Sequence, residues 1–383
     1  MRLDLYGGFG EKGRTCLGVE SDGYRLLLDA GVKTSARGGD DYYPAIPDAA
    51  LRAIDAIVIT HGHEDHVAAL GWLIAGGFDG RIFMTTETRS EAEESLAGYA
   101  LPEHLALMRR AFIERLPIGV DALHLGPLRI STGLSGHVAG GVWCRIDDTR
   151  VSLDYCGDVV PASPVFQMDP LPRCHAIVLD ASYGDDDVPA RARAADVVEW
   201  VAAQARGCVL PTPLYGRSAD LLAIVPGPIA LAPGMRDALR VQIEGSRWLV
   251  DGIAHLLKER LDAAVDWREG DALPRAALLC HDAMGISGPS RDILVGAAAQ
   301  AWPILFTGHL PGNSPGERMV AQGRAEWLRL PTHPTLTENL ALVAASGAGI
   351  VLGHSCDRAL LARLTQHLPQ LRADVATGDC VDL

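Results

Sequence analysis

An apolar run, Ile54-Asp55-Ala56-Ile57-Val58-Ile59, passes directly into Thr60-His61-Gly62-His63-Glu64-Asp65-His66. No other stretch limits the fold as tightly. A short β-branched run of this kind suits a strand buried on both faces. The loop at its end then carries three imidazoles and a carboxylate that can point at one small volume. Imidazole and carboxylate are ligands for Zn²⁺, Mn²⁺ or Fe²⁺. His61 and His63, two residues apart on extended chain, share a face, while Asp65 and His66 diverge. That spacing suits two adjacent ions.

A dinuclear centre needs further donors, and three stand at strand ends. His137 lies in Leu134-Ser135-Gly136-His137-Val138-Ala139-Gly140-Gly141, a glycine-rich turn where a side chain approaches an ion unhindered. Asp158 follows Tyr155-Cys156-Gly157, and His354 follows Val351-Leu352-Gly353. Taken singly, each has a local reading as a turn residue or a strand-end histidine bonded to backbone. Beside the six-residue motif, each reads as a ligand.

The first 180 residues alternate short strands with turns, with strands expected at 25–28, 54–59, 128–131, 141–146, 151–155 and 176–179. Residues 88–116 change to helical period, with Leu96, Leu101, Leu105, Met108 and Phe112 spaced between charges. The acidic turn Gly184-Asp185-Asp186-Asp187 marks a compositional break. Beyond it come a helix at 191–205, a strand at 207–211 and two stretches dense in proline and glycine, read together as a second α/β domain. A helix at 337–346 and a strand at 349–353 look like the first region resuming. The class expected is an α/β sandwich.

Charge narrows the function classes. The chain carries 34 Lys and Arg against 48 Asp and Glu, a net −14, and its only lysines are Lys12, Lys33 and Lys258. A chain-wide electrostatic grip on nucleic acid is disfavoured, because phosphate binding scales with the basic contacts made; a polyanion would need a local arginine cluster. The eight cysteines form no CxxC pair and often sit in apolar runs, as expected of reduced, buried thiols. No apolar stretch is long enough to span a bilayer, and the first 13 residues lack the apolar core of a leader. No membrane association is expected, and the chain is read as cytoplasmic.

These residues resemble the metallo-β-lactamase fold hydrolases, and within them the β-CASP nucleases such as ribonuclease J and the pre-mRNA cleavage endonuclease. Tyr6-Gly7-Gly8-Phe9-Gly10-Glu11-Lys12-Gly13 looks like the glycine-rich N-terminal motif, Asp29 like the first-motif aspartate, and the hexapeptide 61–66 like the second motif. His137 and Asp158 match the third and fourth motifs. Asp180, His333 and His354 resemble the three β-CASP motifs. Gly285-Ile286-Ser287-Gly288-Pro289-Ser290 and Phe306-Thr307-Gly308-His309 look like segments leading to the second of them. In two departures, Pro334 follows His333 and Ser355 follows His354, where the family usually carries a small residue with an acid and Gly-Glu.

The resemblance implies an αββα sandwich, residues 1–185 and 326–383, interrupted by an inserted α/β β-CASP domain, residues 186–325. It implies that His61, His63 and His137 bind one metal, that Asp65, His66 and His354 bind the other, and that Asp158 bridges both, with zinc the first expectation and manganese the second. Asp65 and Asp158 then count as catalytic as well as ligating. His333, oriented by Asp180, would contact the scissile phosphate or protonate the leaving oxygen, and Asp29 would support the histidine loop. Ser287 and Ser290 are carried as substrate contacts. Arg217, at the start of a helix, reads either as lining a nucleic-acid path or as a solvated helix start.

The expected activity is phosphodiester hydrolysis, an RNA-processing or RNA-decay nuclease of endo- or exonucleolytic action, with RNA as substrate, DNA as the variant, and a homodimer as the assembly. A hydrolase of a small ester, thioester or lactone is the rival, and a non-catalytic RNA-processing scaffold the third reading.

Overall fold

The computed structural model describes the chain apart from Gly38 and the side chains of Val120 and Asp121. It divides into two compact units: Met1–Pro161, Met168–Asp187 and His333–Leu383 form the first, and Ala162–Gln167 with Val188–Thr332 the second. The sequence set the breaks at 185/186 and 325/326. Here the strand Glu326–Trp327 pairs in parallel with Leu305–Phe306, which keeps it with the second unit.

Two sheets carry the first unit. Seven strands lie in the order Cys380–Asp382, Arg2–Gly7, Cys16–Ser21, Tyr24–Leu28, Ala56–Val58, Arg81–Met84, Ile113–Arg115. Six lie in the order Ile350–His354, Ala176–Asp180, Ser152–Tyr155, Val142–Asp147, Leu128–Leu134, Gly119–Leu125. Side chains alternate across a strand, so burial of both faces requires a layer on each. Leu27, Ile57 and Ile82 pack with the helix residues Val67, Leu70, Leu73, Ala92 and Leu96. On the other sheet, Ile177, Leu179 and Val351 pack with Leu336, Val343, Leu361 and Leu364. The opposite faces, carrying Leu26, Leu28, Phe83, Val178 and Leu352, are equally closed to solvent. Tyr155 of the second sheet donates to Asp29 at the end of a first-sheet strand (2.8 Å), and the Val142 amide donates to the Thr60 carbonyl (3.1 Å), tying the sheets at one rim. The layers run helix, sheet, sheet, helix, which is the αββα sandwich expected.

The helical stretch expected over 88–116 resolves into two helices, Thr86–Tyr99 and Pro102–Arg110, and an edge strand, Ile113–Arg115. Proline is tolerated in a first helical turn and not in an interior, so Pro102 starts a new helix after an extended Leu101 (φ −69°, ψ 150°). Phe112, expected on the apolar helix face, is 83% exposed. The later helix is Leu336–Ser346, begun by a reciprocal cap between Thr335 and Glu338, a device that stabilises a helix start by about 1 kcal/mol.

In the second unit four parallel strands lie in the order Cys208–Pro211, Ala277–Cys280, Ile229–Leu231, Val265–Asp266; the helix Arg217–Ile224 separates the first from Ile229–Leu231 in sequence, and Met235–Glu244 and Ile253–Ala263 separate that strand from Val265–Asp266. All eight cysteines are free. Among the described residues no helix is long and apolar enough to cross a membrane.

Candidate metal centre

In open α/β sheets, ligand-binding groups gather beyond the carboxyl ends of the strands. Tyr24–Leu28 and Ala56–Val58 run parallel, as do Ser152–Tyr155, Ala176–Asp180 and Ile350–His354. Their carboxyl ends deliver Asp29, His61 to His66, Asp158, Asp180 and His354 to one rim. His137 joins them from the turn after Leu128–Leu134, and His333 from the segment before the Leu336–Ser346 helix.

Asp29 anchors the histidine loop. It stands at φ 61°, a left-handed conformation that aspartate tolerates better than most residues. Its carboxylate accepts from the Thr60 amide (2.7 Å), the Thr60 hydroxyl (2.9 Å), His66 Nδ1 (2.8 Å) and the Tyr155 hydroxyl (2.8 Å). With Nδ1 held there, His66 presents Nε2 to Asp158 Oδ1 at 3.1 Å. His61 has Thr60 Oγ1 at 3.1 Å from Nδ1 and turns Nε2 toward Asp158 Oδ2 at 3.7 Å.

His63 Nδ1 and His137 Nε2 face each other at 3.0 Å, and His137 Nε2 stands 3.6 Å from Asp158 Oδ2. One donor atom from each of His61, His63, His137 and Asp158 lies within 4.8 Å of the others. A tetrahedral zinc ion with bonds near 2.0–2.1 Å sets its donors about 3.4 Å apart, so the set fits a divalent cation with little adjustment. His61 Nε2, His66 Nε2 and Asp158 Oδ1 are buried without a hydrogen-bond partner among the described residues. Buried polar atoms are seldom left so unless something else is to bind them. The donors suit divalent metals.

A second trio, Asp158, Asp180 and His333, adjoins the first through the shared Asp158. Asp180 Oδ2 holds His333 Nδ1 at 2.8 Å, and Asp158 Oδ2 is 3.6 Å from that nitrogen. Of the seven expected ligands, His61, His63, His137 and Asp158 share one volume, and His66 reaches it through Asp158. His354 Nε2 is turned onto the Gly157 carbonyl at 2.9 Å, and Nδ1 faces the Ser355 hydroxyl at 3.0 Å. His354 falls outside both groups, as does the Asp65 carboxylate.

Electrostatics follow burial and charge. Burial pushes the His61 imidazole well below its usual range and that of His137 down to about 3, which favours the neutral form a metal needs. Burial also disfavours charge on His66, but Asp158 and Asp29 outweigh it and raise its pKa. Against its own burial, Asp158 is held well below the usual carboxylate range by His66 and His333. Asp180 is lowered chiefly by His333, again against its burial.

Sequence reasoning missed three groups: Thr60, Tyr155 and Glu91. The first two abut recognised motifs. Glu91 lies within Ser90-Glu91-Ala92-Glu93-Glu94, which reads as solvated helix surface. It is instead 2% exposed, at 3.3 Å from His63 Nε2, and burial pushes its carboxyl up to about 8.

Residues 10–204 match the family described as the metallo-beta-lactamase superfamily. The chain belongs to that superfamily. As one of its members, it is 28% identical over 284 residues to transcription termination factor FttA of Methanothermobacter thermautotrophicus, covering 66% of this chain and 43% of that protein. It is 26% identical over 247 residues to cleavage and polyadenylation specificity factor 73 of Drosophila melanogaster (59% and 35%) and 23% over 238 residues to endoribonuclease ysh1 of Schizosaccharomyces pombe (57% and 31%). These relatives are β-CASP nucleases, the group the motifs resemble. The matches span well under half the length of these relatives. A crystal structure of a protein of unknown function from Enterococcus faecalis shares the fold, with a TM-score of 0.61 at 10% identity over 100% of this chain and 99% of that one.

The remaining expected residues of this metallo-beta-lactamase superfamily member lie in the second unit. Ser287 donates to Asp282 through its amide (3.0 Å) and hydroxyl (2.9 Å), and the Ser290 hydroxyl donates to the Ser287 carbonyl (3.3 Å). Both hydroxyls therefore brace their own loop. Arg217 begins the Arg217–Ile224 helix and donates to the Thr332 hydroxyl at 3.1 Å.

Proposed function

We propose that this chain is a metal-dependent phosphodiesterase that cleaves RNA, with zinc ions at the rim of the first unit. The observation that carries this reading is the Asp180–His333 pair standing against Asp158. A metal-dependent hydrolase of small esters has no evident need for a carboxylate-held imidazole beside its ligand set, whereas on a phosphodiester such an imidazole can contact the scissile phosphate as well as protonate the leaving oxygen. The names of the relatives, which speak of transcription termination, of cleavage and polyadenylation and of an endoribonuclease, support the same reading.

His61, His63, His137 and Asp158 would hold one ion, with His66, through Asp158, on the side of a second. Ions there would polarise phosphoryl oxygens and lower the pKa of a nearby water. Asp29 fixes the tautomer of His66 by accepting from Nδ1–H, which leaves the Nε2 lone pair for a ligand bond. Asp180 holds His333 Nδ1, so Nε2 is the edge that meets substrate; with both ring nitrogens protonated, His333 would pass its Nε2 proton to the departing oxygen and be left as the neutral Nδ1–H ring. With a net charge of −14, an RNA strand would have to be gripped by local arginines.

The test is incubation of the purified protein with Zn²⁺ or Mn²⁺ and with 5′-phosphorylated, 5′-hydroxyl and hairpin RNAs, their DNA counterparts, a thioester and a lactone. RNA cleavage abolished by chelation is expected. Turnover of the small esters alone would replace this reading with the ester-hydrolase one.

A further inference from the structure

The helix Thr86–Tyr99 buries Thr88, Glu91, Ala92 and Leu96. Those positions form one helical stripe, and the place between Thr88 and Leu96 would ordinarily be apolar. A carboxyl group there costs several kcal/mol unless its oxygens are engaged. One oxygen of Glu91 is engaged by the histidine loop, Oε2 accepting from the Gly62 amide at 3.3 Å, while Oε1 is buried without a hydrogen-bond partner among the described residues and lies 3.3 Å from His63 Nε2. The loop is built to receive it. A Cβ on Gly62 would stand 2.6 Å from Glu91 Cγ, 2.7 Å from its Cβ and 2.9 Å from the Ala92 nitrogen, so the residue between the two histidines is glycine where the Glu91 stem presses in.

We propose that Glu91 is a positioning residue for the metal centre, its Oε1 placed to accept from His63 Nε2–H so that Nδ1 presents its lone pair to the cation. An imidazole has one proton to place when neutral, and the partner of one nitrogen decides which nitrogen remains a ligand. Nδ1 of His63 already faces His137 Nε2 inside the donor group, and Nε2 faces Glu91. The same carboxyl group grips the Gly62 amide, which sets the backbone between His61 and His63 and so the orientation of both rings. The inference rests on the metal-centre reading but not on the identity of the substrate.

The experiment measures Zn²⁺ and Mn²⁺ binding by calorimetry for the full chain and for Glu91→Gln, Glu91→Asp, Glu91→Leu and His63→Ala, with circular dichroism of each metal-free protein. Losing the carboxyl in Glu91→Leu is expected to weaken binding 10- to 100-fold, the range usual for partners that orient a metal-ligating histidine. Glu91→Gln, which keeps one acceptor oxygen, should recover part of that loss. If Glu91→Leu fails to fold, Glu91→Asp carries the test, because its shorter stem draws the carboxyl group back from His63 while keeping the same functional group. Nitrogen-15 histidine spectra of the zinc-loaded protein should show His63 protonated at Nε2, and a mixture of tautomers in Glu91→Gln. Unchanged affinity and an unchanged His63 tautomer in the folded Glu91 variants would overturn the proposal. If the unaltered chain binds neither ion, the metal-centre reading itself fails, and the His63→Ala comparison separates that result from a role confined to Glu91.

Discussion

His63 and His66 come from one six-residue loop, yet the two sides of that loop are held differently. On the His66 side, Asp29 accepts four hydrogen bonds from three residues, drawn from both sheets. On the His63 side, Glu91 has one backbone amide and one imidazole edge, both from the loop itself. Burial with few donors favours the neutral acid, and Glu91 is pushed up to about 8 accordingly. One side is tied to the whole sandwich, and the other depends on a single helix.

The largest effect should come from the residue common to both sides. Asp158→Ala should abolish metal-dependent cleavage and remove most bound metal, read by elemental analysis and turnover together; retained metal would detach Asp158 from the centre. Next, His333→Ala should leave metal content near normal while slowing turnover roughly 10²- to 10⁴-fold, as for loss of a general acid. Metal loss in that variant would make His333 a ligand. Asp29→Asn tests the comparison directly. It puts an amide where four donors converge and should cost roughly 3 kcal/mol in urea unfolding, against about 1 kcal/mol for Glu91→Gln. Equal losses would erase the distinction between the two supports.

A separate effect is expected away from the centre, in the second unit. Burial pushes the Asp220 carboxyl up to about 7, so between about pH 4 and 7 the folded chain keeps a proton that the unfolded chain has released. Stability then falls as pH rises through that window and levels off above it. Asp220→Asn should flatten the decline by on the order of 2 kcal/mol between pH 4 and 8, measured from urea unfolding midpoints. An unchanged slope would remove Asp220 as its cause.

Most strands were legible because their signals are local: β-branched runs ending in glycine or aspartate turns mark 152–155, 176–180 and 350–354 within a residue or two. Residues 88–116 were misread because the period continues past Pro102, and the backbone constraint of proline outweighs the pattern. Residues 61, 63, 137 and 158 were expected together because histidines crowded at a strand end seldom occur without a cation to hold, and their donor atoms lie within 4.8 Å of one another. Asp65 and His354 were expected on the same grounds and lie outside the donor groups, since the orientation of a ring or carboxylate depends on neighbours far along the chain. His354 turns to the carbonyl of Gly157, 197 positions away.

Composition and spacing alone put histidines and carboxylates at the ends of strands, because residue type and short-range periodicity are properties of neighbouring residues. Tertiary structure decided which nitrogen of each imidazole faces the shared volume, and it turned a glutamate from an acid-rich helix inward. Those outcomes depend on hydrogen bonds across 29 residues between Gly62 and Glu91 and across 126 between Asp29 and Tyr155. Partners that distant meet only when the sheets and helices have packed.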